Sequence, residues 1–281
     1  MTIQIEKIVG MAYVLIATIV LIVMFRKDKF DRRKGYLFLV VSTFLGFVIF
    51  DALLPVKFQV LLLGKANQLG DPILFAGVFL FFFVAQSFIF GRIFCGYVCP
   101  LGATQELLYL LPGKKLKVGG KTITITFRIV FLIAFIVLAT GFSIGMLKYL
   151  GIEDFFTLRT GSMFFWVFLI IVIISIFVYR PFCRLTCPYG ALLSLAAIKG
   201  KFKLRRNGKC INCKKCSEAC PTNEAGWTNL KQECYMCNRC RDACPVKGME
   251  YTARVIREKE RKKKTIAASE PDLAEGKKRG S

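Results

Sequence analysis

The chain has 281 residues, 41 basic against 18 acidic, a formal charge of +23 and a mean hydropathy of +0.52. Its 27 phenylalanines and long apolar blocks exceed what a soluble core of this length needs, so membrane spans are expected. There is no histidine, which excludes bis-histidine haem, C-x-x-C-H haem attachment and histidine-ligated metal. The positive charge flanks apolar blocks, which speaks for topology and anionic lipid and against nucleic acid.

The first apolar block, residues 8–25, is long enough to span. Only Glu6 and Lys7 precede it closely, while Arg26, Lys27, Lys29, Arg32, Arg33 and Lys34 follow. The positive-inside rule puts the N-terminus outside and this loop in the cytoplasm. A cleaved signal peptide would carry its basic residues first and a small-residue cleavage site after, a pattern this block lacks. The second block, 36–54, ends at Asp51 and Pro55, and a loop with a Gly70-Asp71-Pro72 turn leads to the third block, 73–90. A short amphipathic helix is expected from Pro100 to about Pro112-Gly113. Lys114, Lys115, Lys117 and Lys121 mark this side as cytoplasmic. The fourth block, 127–146, runs out to a loop with Glu153 and Asp154, and the fifth, 163–179, returns. Tyr149, Trp166 and Tyr179 fit an interfacial belt.

Two stretches are copies: Arg92-x-Phe94-Cys95-x3-Cys99-Pro100-x-Gly102-Ala103 and Arg180-x-Phe182-Cys183-x3-Cys187-Pro188-x-Gly190-Ala191. Each follows a pair of spans with the same direction of travel. Such repeats imply a pseudo-two-fold along the membrane normal, bringing the motifs together at the inner surface. Pro100 and Pro188 suit the first helical position, so Cys99 and Cys187 fall at N-caps, where the helix dipole favours a thiolate. The four sulfurs then suit a redox pair, a metal site or a third cluster; inert packing is the bland reading.

Further on, Cys210, Cys213, Cys216, Cys220 and Pro221 read C-x2-C-x2-C-x3-C-P, and Cys234, Cys237, Cys240, Cys244 and Pro245 repeat it. This spacing holds two [4Fe-4S] clusters, the fourth cysteine of each run closing the other cluster. Cys210, Cys213, Cys216 and Cys244 therefore take one cluster, and Cys234, Cys237, Cys240 and Cys220 the other. Zinc would want two pairs per site, not three close cysteines and a distant fourth. Twelve cysteines, all in short motifs, suit a reducing compartment.

The expected architecture is an α-helical membrane protein with five transmembrane helices and a small bacterial-ferredoxin-like α+β domain. Residues 1–35 form the N-terminal helix and loop, 36–112 and 113–203 the two two-helix repeats, 204–255 the cluster domain and 256–281 a basic, disordered tail. The cluster domain is too small to fold on a hydrophobic core alone, so metal must supply much of its stability.

Taken in order, these motifs resemble the NapH-type membrane iron–sulfur family, related to MauN and to the membrane cores of NosR and CcoG-like polyferredoxins. The resemblance covers roughly residues 36–255. It implies electron transfer from membrane quinol towards an extracytoplasmic oxidoreductase of the nitrate-reductase type, from a multi-pass protein of the inner membrane with its clusters on the cytoplasmic face. Chains of that family usually carry four spans; this one reads as five. A quinol site without histidine needs a carboxylate or a thiolate as proton acceptor. Asp51, near the outer surface, and Glu106, on the helix after Pro100, are the candidates, with Gln86 and Gln105 able to bind a quinone carbonyl. Two alternatives stand beside this subunit of a quinol-oxidising system. One is maturation or metal reduction for another metalloenzyme, and the other a relay from cytoplasmic ferredoxin to an extracytoplasmic flavoprotein. Expected partners are lipid, the quinone pool and an extracytoplasmic redox or iron–sulfur subunit, with oligomerisation left open.

Overall fold

The computed structural model describes residues 2–49, 54–64, 73–116, 121–226 and 229–253. Asp51, the Gly70–Pro72 turn and the basic tail lie outside them.

Helices α1 (Thr2–Arg26), α2 (Arg32–Ile49), α3 (Leu54–Leu62) and α4 (Ile73–Phe90) come first. A five-residue π-helical turn, Phe94–Val98, leads into α5 (Pro100–Tyr109). The second half holds α6 (Lys121–Phe142), the short α7 (Met146–Tyr149) and α8 (Ile152–Phe156), then α9 (Met163–Ile174). A second π turn, Phe182–Thr186, precedes α10 (Pro188–Ile198).

Among the described residues, α1 over Val9–Arg26 and α6 are long and apolar enough to cross a membrane, whereas α4 and α9 are shorter apolar helices. The expected fifth span is not one helix. α9 has 12 residues, ~18 Å of rise, against ~30 Å of hydrocarbon. It ends where the amides of Ser175, Ile176 and Phe177 tighten to i−3 carbonyls, and the Phe177 carbonyl accepts from the Leu116 amide at 2.8 Å. The outward faces are apolar throughout, with Phe81 and Phe88 on α4 and Val130, Ile133 and Val137 on α6 exposed.

The C-terminal segment is a two-stranded antiparallel sheet, β1 (Lys203–Arg206) on β2 (Met249–Thr252), with Lys203 opposite Thr252. Two single-turn helices, α11 (Lys215–Glu218) and α12 (Arg239–Asp242), lie between the strands in sequence. This segment docks at one end of the helices. Arg26 stacks over Phe202, Lys121 pairs with Glu224 at 3.0 Å, and Tyr251 Oη donates to the carbonyl of Phe90 at 2.8 Å. The C-termini of α1 and α4 and the N-terminus of α6 therefore gather at that end, and the helices alternate in direction.

Tyr179 departs from the belt expectation. Trp166 and Tyr149 are more than half exposed, but Tyr179 is 1% exposed, packed edge-on against Tyr109 and Tyr235.

Candidate functional site

The two cysteine runs share one backbone device. Asn212 and Lys214 in the first, and Met236 and Asn238 in the second, have left-handed φ between 58° and 63°. Such alternation turns successive N–H groups inward into an anion-binding concavity. Cys210, Cys213, Cys216 and Cys244 line one small pocket, together with Gly248. The Gly248 amide donates to Cys244 Sγ at 3.1 Å. The Glu224 amide likewise donates to Cys220 Sγ at 3.2 Å, so each proline-flanked cysteine already receives a backbone N–H. Burial pushes the Cys234 thiol up to about 12 and raises Cys237 and Cys240 as well, with the neighbouring sulfurs Cys220 and Cys237 adding to it at Cys234. Such thiols are held as thiolates only when a metal takes the proton's place. Among the described residues no three Cys, Asp or Glu groups close on a single ion. A cluster asks for something else, one thiolate per iron around a cavity, and the donor set fits it.

The repeated motif is built from its π turns. The amide of Cys99 bonds to the carbonyl of Phe94, and that of Cys187 to Phe182, both at 3.0 Å. A turn widened to i+5 sets Cys95 beside Cys99, and Cys183 beside Cys187, before proline starts the next helix. Cys187 Sγ caps α10, accepting from the Gly190 amide at 3.2 Å. All four cysteines are buried, none more than 8% exposed.

The repeats exchange arginines. Arg180, from the second, reaches into the first, donating to the carbonyls of Cys95 and Gly96 and to Glu106. Arg92, from the first, lies beside the second, where a Cβ on Gly190 would meet Arg92 Nη2 at 3.3 Å and Cys187 Sγ at 3.1 Å. The C-P-x-G glycines are thus the positions where the opposite repeat's arginine passes. Gln105 crosses the same seam, donating to Cys183 Sγ at 3.3 Å and accepting from the Phe182 amide at 3.1 Å.

The motifs do not sit at the ends of the helices. Pro100 packs where a Cβ on Gly46 would stand, ~21 Å along α2 from Arg32. Tyr189 Oη donates to the carbonyl of Leu80 at 2.7 Å, ~15 Å from the end of α4. α5 and α10 are therefore short helices whose N-termini lie inside the bundle, between about half and four fifths of the way along α4 and α2. The expected placement at one surface is replaced because the apolar first turns of both helices bury themselves. Residues Pro100–Glu106 are buried without interruption, so α5 is no surface amphipathic helix.

A finger of the C-terminal segment enters between the motifs. Tyr235, between Cys234 and Cys237, has its ring beneath Arg92 at 4.2 Å and Arg180 at 4.7 Å. Its hydroxyl donates to the carbonyl of Cys183 at 3.3 Å. Tyr97 Oη donates to Met236 at 3.0 Å. Two buried triads lock the finger: Arg180–Glu106–Arg239 at 2.9 and 2.6 Å, and Arg128–Glu233–Arg184 at 2.8 and 3.4 Å.

A family model described as a 4Fe-4S binding domain matches the chain twice, at residues 72–119 and 160–207, once over each repeated motif. An uncharacterized protein of Methanocaldococcus jannaschii, MJ0749, is 30% identical over 60% of this chain and 68% of its own length. The regulatory protein NosR of Stutzerimonas stutzeri is 30% identical over 75% of this chain and 33% of its own length. The ferredoxin-type protein NapH of Haemophilus influenzae is 26% identical over 56% of each chain. The chain belongs to the NapH/MauN-type membrane ferredoxin family. It spans from a third to about two thirds of the length of these relatives. No solved structure matches it.

In this member of the family, several expected site residues have other work. Glu106 is buried; burial raises its pKa, but the Arg239 and Arg180 guanidiniums outweigh that and hold it below the usual carboxylate range. A carboxylate clamped by two cations accepts no proton near neutral pH, so Glu106 is a structural tie and not a quinol base. Gln105 has both amide atoms engaged within the protein. Gln86 is buried, its Nε2 on the carbonyl of Gly91 and its Oε1 without a hydrogen-bond partner among the described residues. Asp51 lies outside the described residues. Sequence reasoning missed a cavity of about 460 Å³ at the end of the bundle opposite the clusters, lined by Gln59, Ser143, Lys148, Tyr149 and Glu153. Glu153 was visible only as an acidic loop residue, because the cavity is made by α3, the 143–145 loop, α7 and α8 meeting across the fold.

Proposed function

We infer that this iron–sulfur electron-transfer protein oxidises membrane quinol. In this reading it crosses the inner membrane five times, with residues 203–252 on the cytoplasmic side. Two [4Fe-4S] clusters are held by Cys210, Cys213, Cys216 and Cys244, and by Cys234, Cys237, Cys240 and Cys220. The clusters supply one-electron storage, and the chain supplies the path and the proton acceptor. Quinol enters the outer cavity, its ring hydroxyl meeting Gln59 or Tyr149, and gives up two electrons and two protons. Glu153 takes the protons towards the outer face. Phe58 and Tyr189, whose rings lie 5.8 Å apart, would lie on the inward path from that cavity to the cysteine motifs, beyond which the two cysteine runs would hold the clusters. An extracytoplasmic redox subunit of the nitrate-reductase type is the proposed terminal partner.

The observation that carries this reading is the position of the four motif cysteines, between the outer cavity and the docked cluster segment. It also bears on the alternatives. Maturation by thiol or metal exchange needs sulfurs that a partner can reach, and these four are buried. The test is anaerobic stopped-flow with a menaquinol analogue. Bleaching of the cluster absorbance is expected, slowed at least about tenfold in Glu153→Gln. Clusters that stay oxidised with quinol and partner both present would remove the quinol reading.

A further inference from the structure

The two exchanged arginines occupy equivalent places and have unequal partners. Arg180 is satisfied on every side, by the Glu106 carboxylate and the carbonyls of Cys95 and Gly96. Arg92 is 1% exposed, and its Nε, Nη1 and Nη2 have no hydrogen-bond partner among the described residues. One substitution at a matched position and one competing arginine cause this. Where the first repeat has Glu106, the second has Ser194, which donates instead to the carbonyl of Gln232 at 3.2 Å. The carbonyls of Cys183 and Arg184, which match those Arg180 binds, are taken by Arg128 at 3.0 and 2.8 Å. Arg92 is left with the Tyr235 ring and the sulfur of Cys187 as its neighbours. Stacking on a ring offsets only part of the cost of removing a guanidinium from water, and buried N–H donors left without acceptors are costly. The nearest carboxylate, Glu233, is paired with Arg128 and Arg184 instead, so the Arg92 donors stay buried without an acceptor.

We propose that Arg92 is the fixed counter-charge of an iron–sulfur cluster shared by Cys95, Cys99, Cys183 and Cys187, two ligands from each repeat, inside the bundle. Four thiolates on a cluster carry net negative charge, which the N-termini of α5 and α10 and the Arg92 guanidinium face together. Gln105 Nε2 on Cys183 Sγ and the Gly190 amide on Cys187 Sγ supply the N–H···S contacts that such a centre uses to set its potential. The asymmetry then has a purpose. Arg180 fastens the repeats and the finger together, while the Arg92 donors are left for the cofactor. This inference rests on the iron–sulfur part of the functional reading and is independent of quinol.

The test uses the full chain purified anaerobically in detergent. Iron analysis should exceed the roughly eight atoms of two ferredoxin clusters, and the Cys95→Ser/Cys183→Ser double variant should lose the excess together with one EPR signal. Arg92→Gln should move that signal's midpoint potential to more negative values, because a nearby positive charge favours the reduced, more anionic cluster; Arg92→Lys should stay near wild type. Ser194→Glu gives Arg92 a carboxylate and should shift the potential in the same direction as Arg92→Gln, which keeps the proposal open to test if Arg92→Gln does not accumulate. Wild-type iron accounted for by two clusters, or iron unchanged in the double cysteine variant, overturns the shared centre. A third signal whose potential ignores both Arg92→Gln and Ser194→Glu overturns the role of Arg92. Neither result depends on quinol turnover, so each is distinguishable from failure of the quinol reading.

Discussion

At the scale of single residues, charge and space decide. Removing one partner of a buried ion triad leaves the others unpaired, at a cost of about 3–5 kcal/mol. Glu106→Gln should therefore loosen the docked cluster segment by that order, read as a lowered denaturation midpoint in detergent. The pH dependence has a defined sign. The folded pKa of Glu106 lies below its unfolded value, so its contribution is complete above the ordinary carboxylate range and disappears as pH falls through the folded pKa. The stability gap between Glu106→Gln and wild type should close on acidification; a gap that widens would contradict the clamp. Space is as strict at Gly96. A Cβ there would stand 2.3 Å from the Tyr235 carbonyl oxygen, which is backbone and cannot rotate away. Gly96→Ala should expel the finger while leaving the helices folded, seen as loss of Tyr235 burial by fluorescence or hydrogen exchange.

At the scale of elements, the two halves of the chain are stabilised by different physics. α1 and α6 are apolar enough to be held by a membrane. The segment from β1 to β2 has two four-residue strands and two single-turn helices, with a core little larger than Leu204, Met249 and Tyr251. Its order has to come from metal ligation and from docking. Stripping the clusters with a chelator and oxidant should open residues 203–252 to protease while the helices remain resistant. Equal resistance before and after would show that the strands fold without metal. Reloading should release protons and speed up as pH rises from about 7 to about 9, because the buried thiols of Cys234, Cys237 and Cys240 must ionise to bind.

Across the whole molecule, the fold arranges three levels in a column: the cavity around Glu153, the paired cysteine motifs and the docked cluster segment. The short helices α5 and α10 make this possible. Each turns back after burying its N-terminus, so the motifs lie deep while the chain still ends on the cluster side. The orientation is open to direct measurement. A cysteine at Ser143, beside that cavity, should react with an impermeant maleimide added outside intact cells, and one at Lys209 should react only after permeabilisation. Labelling of both from the same side would break the column.

Much of this was readable from residue order, because local chemistry sets it. The C-x2-C runs, the proline at each helix start, the apolar blocks and the repeat itself depend on neighbours within a few positions, and they identify iron–sulfur chemistry without coordinates. What tertiary structure decided depends on residues far apart in sequence. Past Ile174 the apolar block leaves the helix and pairs with Leu116, whose amide donates to the carbonyl of Phe177 at 2.8 Å. That Glu106 is a tie and not a base follows from Arg180 and Arg239, which lie 74 and more residues away. The depth of the cysteines, the cavity around Glu153 and the unpartnered donors of Arg92 arise only when two copies of one motif face each other. A repeat in sequence announces symmetry. Which copy keeps its carboxylate partner becomes meaningful only once packing has removed water from both.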